Sequence, residues 1–361
     1  FGGKIIWRAF VYNCQQDWRD HKTDRARAAY DYFSPLDGAF EPNVYLQIKN
    51  GPIDFQVREP ISPLFFAMPK TNLILECQIA QEYTGQQIDL CYLLPMWKEI
   101  LNFPADMASH TVGQRVAIPS AGIAAVANTG DDWNWTGHIL AGANFYGFGL
   151  LAWDFNVDEK QVAEEYLRLV LGLEGPALAK VKDMMLTSWP TMEKYTAPLG
   201  VGFMVTPHYH YGPNIDGYEY DRWGTYHRAD WKGIGIDRTE TGTDYAHTYP
   251  EALGDMYADP EKCPDNLLLF FHHVPYTHVL QSGKTVIQHI YDSHFEGYAE
   301  VLAFLETWNS LEGQMDDDIF LHTKERFERQ AANAREWCDQ INTYFYRKCG
   351  IPDKKGRKIY T

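Results

Sequence analysis

Val44–Phe55 (VYLQIKNGPIDF) and Leu73–Gly85 (LILECQIAQEYTG) decide the fold of this chain. Each opens as an apolar run of strand length and closes on ionisable residues, Lys49 and Asp54 in the first and Glu82 in the second. Runs that are apolar at nearly every position suit strands covered on both faces, which is the condition of a parallel sheet. Polar residues at the C-terminal ends of successive parallel strands occupy the place where (β/α)₈ barrels keep their chemistry.

Working outward, further strand-like runs fall at Ile5–Tyr12, Ile123–Asn128 and Ala143–Trp153, with helical patterns at Asp24–Phe33 and Asp89–Leu101 between them. In the second helix Leu93, Met96, Trp97 and Ile100 recur at helical spacing and are expected to face the sheet. Alternation of strand and helix at this spacing predicts right-handed crossovers and a parallel sheet. Five strands fall short of the eight of a barrel, so residues 1–156 read either as an open α/β sheet or as the later part of a barrel that starts upstream. From residue 157 the character changes. Val157–Gly172 and Pro176–Trp189 read as amphipathic helices, Gly200–Thr248 as loops rich in Gly, Tyr, His and Trp, and Lys284–Trp308 and Phe320–Lys348 as helices again. A mainly helical second domain over 157–361 follows.

The 361 residues are comfortable for two domains, and 45% apolar with 22% charged content is ordinary for a globular chain. A net charge of −16 argues against nucleic acid, which demands a basic face. It also repels anions at long range, so an acidic substrate must be held by a few local cations. The 11 Trp and 23 Tyr offer flat faces to sugar rings and serve cores equally well. Six cysteines show no CxxC spacing, and Cys77 and Cys91 sit in apolar stretches as buried thiols. No apolar run approaches the length of a membrane span. The opening Phe1-Gly2-Gly3 leads almost at once into a strand, as expected of a chain cut from something longer.

Asp54 lies in the turn Asn50–Asp54 (NGPID), whose Gly51 and Pro52 restrict the backbone. Glu82 directly follows an apolar strand. Each alone could be a turn or solvent-facing acid, but a pair at one end of adjacent strands suits proton transfer from water. Lys49 ends its strand, and Arg8 lies within the first one, in WRAF. An arginine inside an apolar strand must be paired or face a polar cavity, so it reads either as a structural ion pair or as a clamp on a substrate carboxylate. Together these residues point to a hydrolase acting on an acidic sugar. His208 and His210 (TPHYHYG) and His272 and His273 read as members of a hydrogen-bonded network in preference to metal ligands. The cluster Tyr218, Tyr220, Trp223, Tyr226 and Trp231 reads as interdomain core or as an aromatic wall over the site. Ser or Cys nucleophile signatures and phosphate-binding loops are missing from the sequence.

The strings IWRAFVYN, QDWRDHKTDRA, LQIKNGPIDFQVREPISPLF, QIAQEYTGQQ and YGPNIDGYEYDRWGTYHRAD closely resemble α-glucuronidases of glycoside hydrolase family 67, and the resemblance runs over the whole chain. It implies a β-sandwich, a (β/α)₈ TIM barrel and a mainly α-helical C-terminal domain in the full enzyme, of which this chain holds the later barrel strands and the last domain. It implies release of glucuronic acid or its 4-O-methyl ether, by inversion, from the α-1,2 link to the terminal xylose of xylo-oligosaccharides. On the 28-residue spacing the two carboxylates that flank the attacking water match Asp54 and Glu82. Lys49 matches a lysine five residues before the first, and Arg8 an arginine that contacts the uronic carboxylate. A pocket tryptophan from the C-terminal domain matches Trp231, with Trp223 as the alternative.

The chain departs from the family in one respect. The general acid, a glutamate, is expected before residue 1, in the missing N-terminal part of the same enzyme. The resemblance further implies aldouronic acids from glucuronoxylan as substrates, a homodimer through the C-terminal domain, and no cofactor or metal; the expected setting is bacterial and cytoplasmic, with a secreted or cell-associated one as the alternative. Rival readings are a sugar-binding protein without catalysis, an inactive fragment that serves dimerisation, and a metal-dependent barrel enzyme.

Overall fold

The computed structural model describes residues 2–11, 15–104, 110–118, 120–221 and 224–359. Four parallel strands form its sheet: β1 (Ile5–Arg8), β2 (Val44–Lys49), β3 (Asn72–Gln78) and β4 (Gly122–Val126), hydrogen-bonded in chain order. The register sets Arg8 beside Gln47 and Lys49 beside Glu76. The crossovers carry α1 (Arg25–Phe33), the short α2 (Leu64–Ala67), α3 (Leu94–Leu101) and α4 (Val112–Val116). Strands that run in one direction, in sequence order, each returning through a helix, make the curled half of a (β/α)₈ barrel. Leu46, Ile48, Leu73, Leu75 and Cys77 bury their side chains almost completely, as the unbroken apolar runs require. The thiols of Cys77 and Cys91 are free, and burial pushes both well above the usual thiol range.

The expected fifth strand, Ala143–Trp153, is instead the helix α5 (Gly142–Trp153). Its apolar residues recur without a period, and at twelve residues the run is too long for a typical strand, so length decides where periodicity cannot. Close packing completes the choice. Gly147 meets Leu94 so closely that a Cβ there would lie 2.3 Å from a leucine methyl. Asn144, buried in the same helix, accepts from the Leu93 N–H and donates to the Cys91 carbonyl. The helix expected from Asp89 begins only at Leu94, with Pro95 in its first turn, and the stretch before it enters the core.

The helices beyond follow the sequence closely: α6 (Glu159–Leu171), capped by Asp158 and closed by left-handed Gly172, then α7 (Gly175–Thr196). Among its described residues the loop-rich stretch carries the two-residue strand β5 (Gly233–Ile234), which pairs antiparallel with β6 (Val274–Pro275) after α8 (Glu251–Ala258) and α9 (Leu268–Phe271). The long helices α10 (Val286–Asn309) and α11 (Asp317–Cys349) pack on each other and on α7. Trp308 joins them, burying its ring and donating its indole N–H to the Phe320 carbonyl.

Asp24 ties the two regions together. Its carboxylate caps α1 through the Ala26 N–H and accepts from buried Arg238 and from Thr243 of the loop region. Burial would raise this carboxyl, yet Arg238 and the cap hold it below its usual range. None of the helices among the described residues is long and apolar enough to cross a membrane.

Candidate active site

Because β2 and β3 run in the same direction, the loops that follow them emerge at one rim, and these loops carry Asp54 and Glu82. Both are held by strained backbone. Phe55, immediately after Asp54, and Gln81, immediately before Glu82, adopt left-handed conformations with φ of 56° and 55°. Residues other than glycine tolerate this only where the surroundings over-determine them. The surroundings do so here. The Gln81 side chain is fully buried and donates to the Thr84 carbonyl. The Glu82 N–H is held by Gln78 Oε1, whose amide in turn donates to Glu82 Oε2.

Lys49, at the end of β2, is buried and forms an ion pair with Asp54. Its ammonium also lies over two aromatic faces, 4.1 Å from the centre of Phe10 and 5.1 Å from that of Phe55. A cation held by one carboxylate and two rings is placed to attract an anionic ligand close at hand, in a molecule whose net charge of −16 would repel one at distance.

Tyr83 and His210 join the two carboxylates. The Tyr83 hydroxyl points at Asp54 Oδ2, 3.5 Å away, and its ring stacks on His210 with centres 4.6 Å apart. His210 Nδ1 lies 2.9 Å from Glu82 Oε1, and His210 Nε2 lies 2.5 Å from the Tyr218 hydroxyl. Since the Tyr218 oxygen accepts from the His208 N–H, its own proton is free to point at Nε2. In that arrangement the Nδ1–H of His210 donates to Glu82. The hydrogen bond from His210 holds the Glu82 carboxyl below its usual range against the opposing effect of burial. Glu82 is therefore an anion at neutral pH, ready to accept a proton.

The sequence-derived residues divide as follows. Asp54, Glu82 and Lys49 come together. Arg8 takes the ion-pair alternative: its guanidinium meets Glu76, wholly buried within β3, at 2.6 and 2.9 Å, and Gln47 donates to the same carboxylate. Trp231 is 75% exposed on the turn fixed by Asp230, with Lys232 over its ring; among the described residues it makes none of the hydrogen bonds and ring contacts around the carboxylates. Trp223 lies outside the described residues. His210 is in a hydrogen-bonded network, as its loop composition suggested. His272 and His273 serve the fold, bonding to the Tyr257 and Gly235 carbonyls. Tyr83 and Glu59 were not singled out from the sequence. The only local sign of Tyr83 is its place next to Glu82.

Residues 1–135 match the profile described as "Glycosyl hydrolase family 67 middle domain", and residues 136–358 match "Glycosyl hydrolase family 67 C-terminus". The chain belongs to glycosyl hydrolase family 67. Similar proteins include the "Alpha-glucuronidase A" of Aspergillus tubingensis, 43% identical over 365 residues, and the "Probable alpha-glucuronidase A" of Aspergillus clavatus, 44% identical over 365 residues. The alignments cover 99% of this chain but only 43% and 44% of those proteins. The chain thus spans less than half the length of these relatives. These relatives are fungal, so the expected bacterial setting gains no support from them.

Proposed function

We propose that this chain supplies the water-activating side of an inverting α-glucuronidase, which cleaves the α-1,2 link between (4-O-methyl)glucuronic acid and the terminal xylose of xylo-oligosaccharides. The observation that carries the reading is the arrangement of Asp54 and Glu82 at one rim, one paired with Lys49, the other with His210, and bridged by Tyr83. In the reaction a water oxygen attacks the anomeric carbon and gives its proton to one of the two carboxylates. The glycosidic C–O bond breaks, and the xylosyl oxygen takes a proton from an acid on the opposite side. That acid is proposed to be the glutamate upstream of residue 1 that the family resemblance implies. Inverting enzymes hold acid and base roughly 6.5–9.5 Å apart to leave space for the water.

Lys49 is the proposed local cation for the uronic carboxylate. Arg8 is proposed to support the same end of the site from its place on Glu76, and Trp231, or Trp223, to close the pocket from the C-terminal region. Dimerisation through the helical region is proposed on the family resemblance, and sedimentation of the purified protein would read it.

The test is a proton NMR time course of the enzyme carrying this chain with an aldotriouronic acid. Release of glucuronic acid with the β-anomer appearing first is the expected result. The α-anomer appearing first would overturn inversion, and no release would overturn the glucuronidase reading.

A further inference from the structure

Glu59 is half-buried, and no step above uses its carboxylate. It lies in the loop that carries Asp54, and three backbone N–H groups of that loop converge on it: Ile53 on Oε2 at 2.7 Å, and Asp54 and Gln56 on Oε1 at 3.1 and 2.7 Å. The loop is wound round this side chain. Gly51 approaches so closely that a Cβ there would lie 2.2 Å from Oε2, so glycine is needed for the carboxylate to occupy its place. Gln56, fixed at one end by Glu59, accepts from the Phe203 N–H at the other and links the loop to the C-terminal region.

Each charged group that faces Glu59 is otherwise committed. Lys49 of β2 pairs with Asp54, Arg58 with Glu193 and Glu99, and Arg238 with Asp24. Arg58, Arg238 and Tyr226 share a small cavity with Glu59, and buried Tyr245 feels its charge from the C-terminal side. Among the described residues no cation forms an ion pair with Glu59, so its negative charge rests on the three N–H groups. Only a carboxylate offers enough lone pairs on two oxygens for that arrangement.

We propose that Glu59 is a positioning residue of the hydrolytic reaction: its carboxylate holds the backbone of Ile53, Asp54 and Gln56 and so fixes where the Asp54 carboxylate points. This rests on the reading of Asp54 as one of the two carboxylates that handle the water. A pH dependence follows from the geometry. A protonated Glu59 turns one acceptor oxygen into a donor and leaves an N–H of the loop without a partner. Burial pushes the Glu59 carboxyl up to about 7, against the lowering effect of the two backbone bonds and Lys49. The Asp54 loop is therefore fully braced only above that pH. Glu82 titrates below its usual range, and burial raises Tyr83 and Tyr218 above theirs; His210 is the site's imidazole, so the limb is assigned to Glu59 by its loss in Glu59→Gln.

The experiment measures kcat and KM for aldotriouronic acid against pH, in the enzyme carrying this chain and in its Glu59→Gln and Glu59→Asp variants. The wild type is expected to gain kcat as pH rises through neutrality. Glu59→Gln sets an amide N–H against a backbone N–H, and should lower kcat about 10²-fold, the scale of an ångström-sized misplacement. KM should stay within about threefold, since only the reacting geometry changes, and the limb should disappear. A Glu59→Gln enzyme that keeps the limb, or whose KM rises as far as its kcat falls, overturns the proposal. If Glu59→Gln does not fold, Glu59→Asp is read by its limb: displacement supports the role, and an unmoved limb overturns it. Failure of the wild type to release glucuronic acid would instead overturn the glucuronidase reading and the positioning role with it.

Discussion

His210 Nδ1 stands 2.9 Å from Glu82 Oε1, although the two residues belong to different matched regions of the chain. The contact brings a loop of the C-terminal region onto the rim of the sheet. It makes the charge of a rim carboxylate depend on a residue that the barrel portion does not contain. His210 also stacks on Tyr83, which faces Asp54, so one imidazole orders both halves of the pair.

His210→Ala should shift to higher pH the lower acid limb of kcat/KM, the one set by Glu82 beneath that of Glu59. The limb reports the free enzyme's base, and the hydrogen bond from His210 is the main cause of the low Glu82 carboxyl. A carboxyl held low in the folded state needs its anion, so the benefit is present above its ordinary value and lost as pH falls. Without His210 that loss begins sooner. A kcat/KM profile against pH reads this directly, and an unmoved limb would separate His210 from the proton-accepting group.

Asp54→Ala and Glu82→Ala should each lower kcat by at least ~10²-fold in the enzyme carrying this chain, the scale of general acid–base catalysis. The two effects should not add, because each carboxylate orients the same water and is joined to the other through Tyr83. Steady-state kinetics of the single and double variants measure both points. Near-normal turnover in either single variant would remove that residue from the mechanism.

Much of this site is legible in the sequence because it is local. Apolar runs of strand length that stop on Lys49 and near Glu82 put those groups on one rim, since parallel strands share a C-terminal edge. What escapes the sequence is what depends on contacts between distant segments. The bond from His210 to Glu82 leaves no mark on either stretch, beyond histidines in a loop that invites a network. Glu59 sits in VREP, where no local pattern marks it, and its place follows from how residues 50–62 wind around it. Arg8 stayed open between two readings for the same reason, because its partner Glu76 lies on a strand 68 residues further on. The helix Gly142–Trp153 was misread for a different cause, an apolar surface all round that erases the period.

Arg8→Ala should destabilise the fold as well as raise KM for acidic substrates. It leaves Glu76, wholly buried, with the Gln47 amide as its one side-chain partner among the described residues. Breaking a buried pair from one side typically costs 3–5 kcal/mol. Because Arg8 itself is about one-third exposed, a loss of ~2–3 kcal/mol is the better expectation. Denaturant unfolding reads it. Adding Glu76→Gln should recover most of the stability, because the uncompensated charge goes with it, while KM stays high if Arg8 also serves the substrate. A double variant with a normal KM would confine Arg8 to the structural role.

Asp24→Ala should loosen the joint between the half-barrel and the C-terminal region. Arg238 would keep the Phe270 carbonyl and ring but lose its carboxylate while still buried, and α1 would lose its cap. Removing one member of a buried pair together with a helix cap is expected to cost about 4 kcal/mol. The wild-type contribution carries a pH signature. Asp24 is held below its usual carboxyl range in the folded state, so its stabilisation is present above that range and lost as pH falls through the lowered value. Unfolding midpoints measured at successively lower pH should therefore converge between wild type and Asp24→Ala. A gap that stayed constant down to strongly acid pH would show that the cost comes from packing alone.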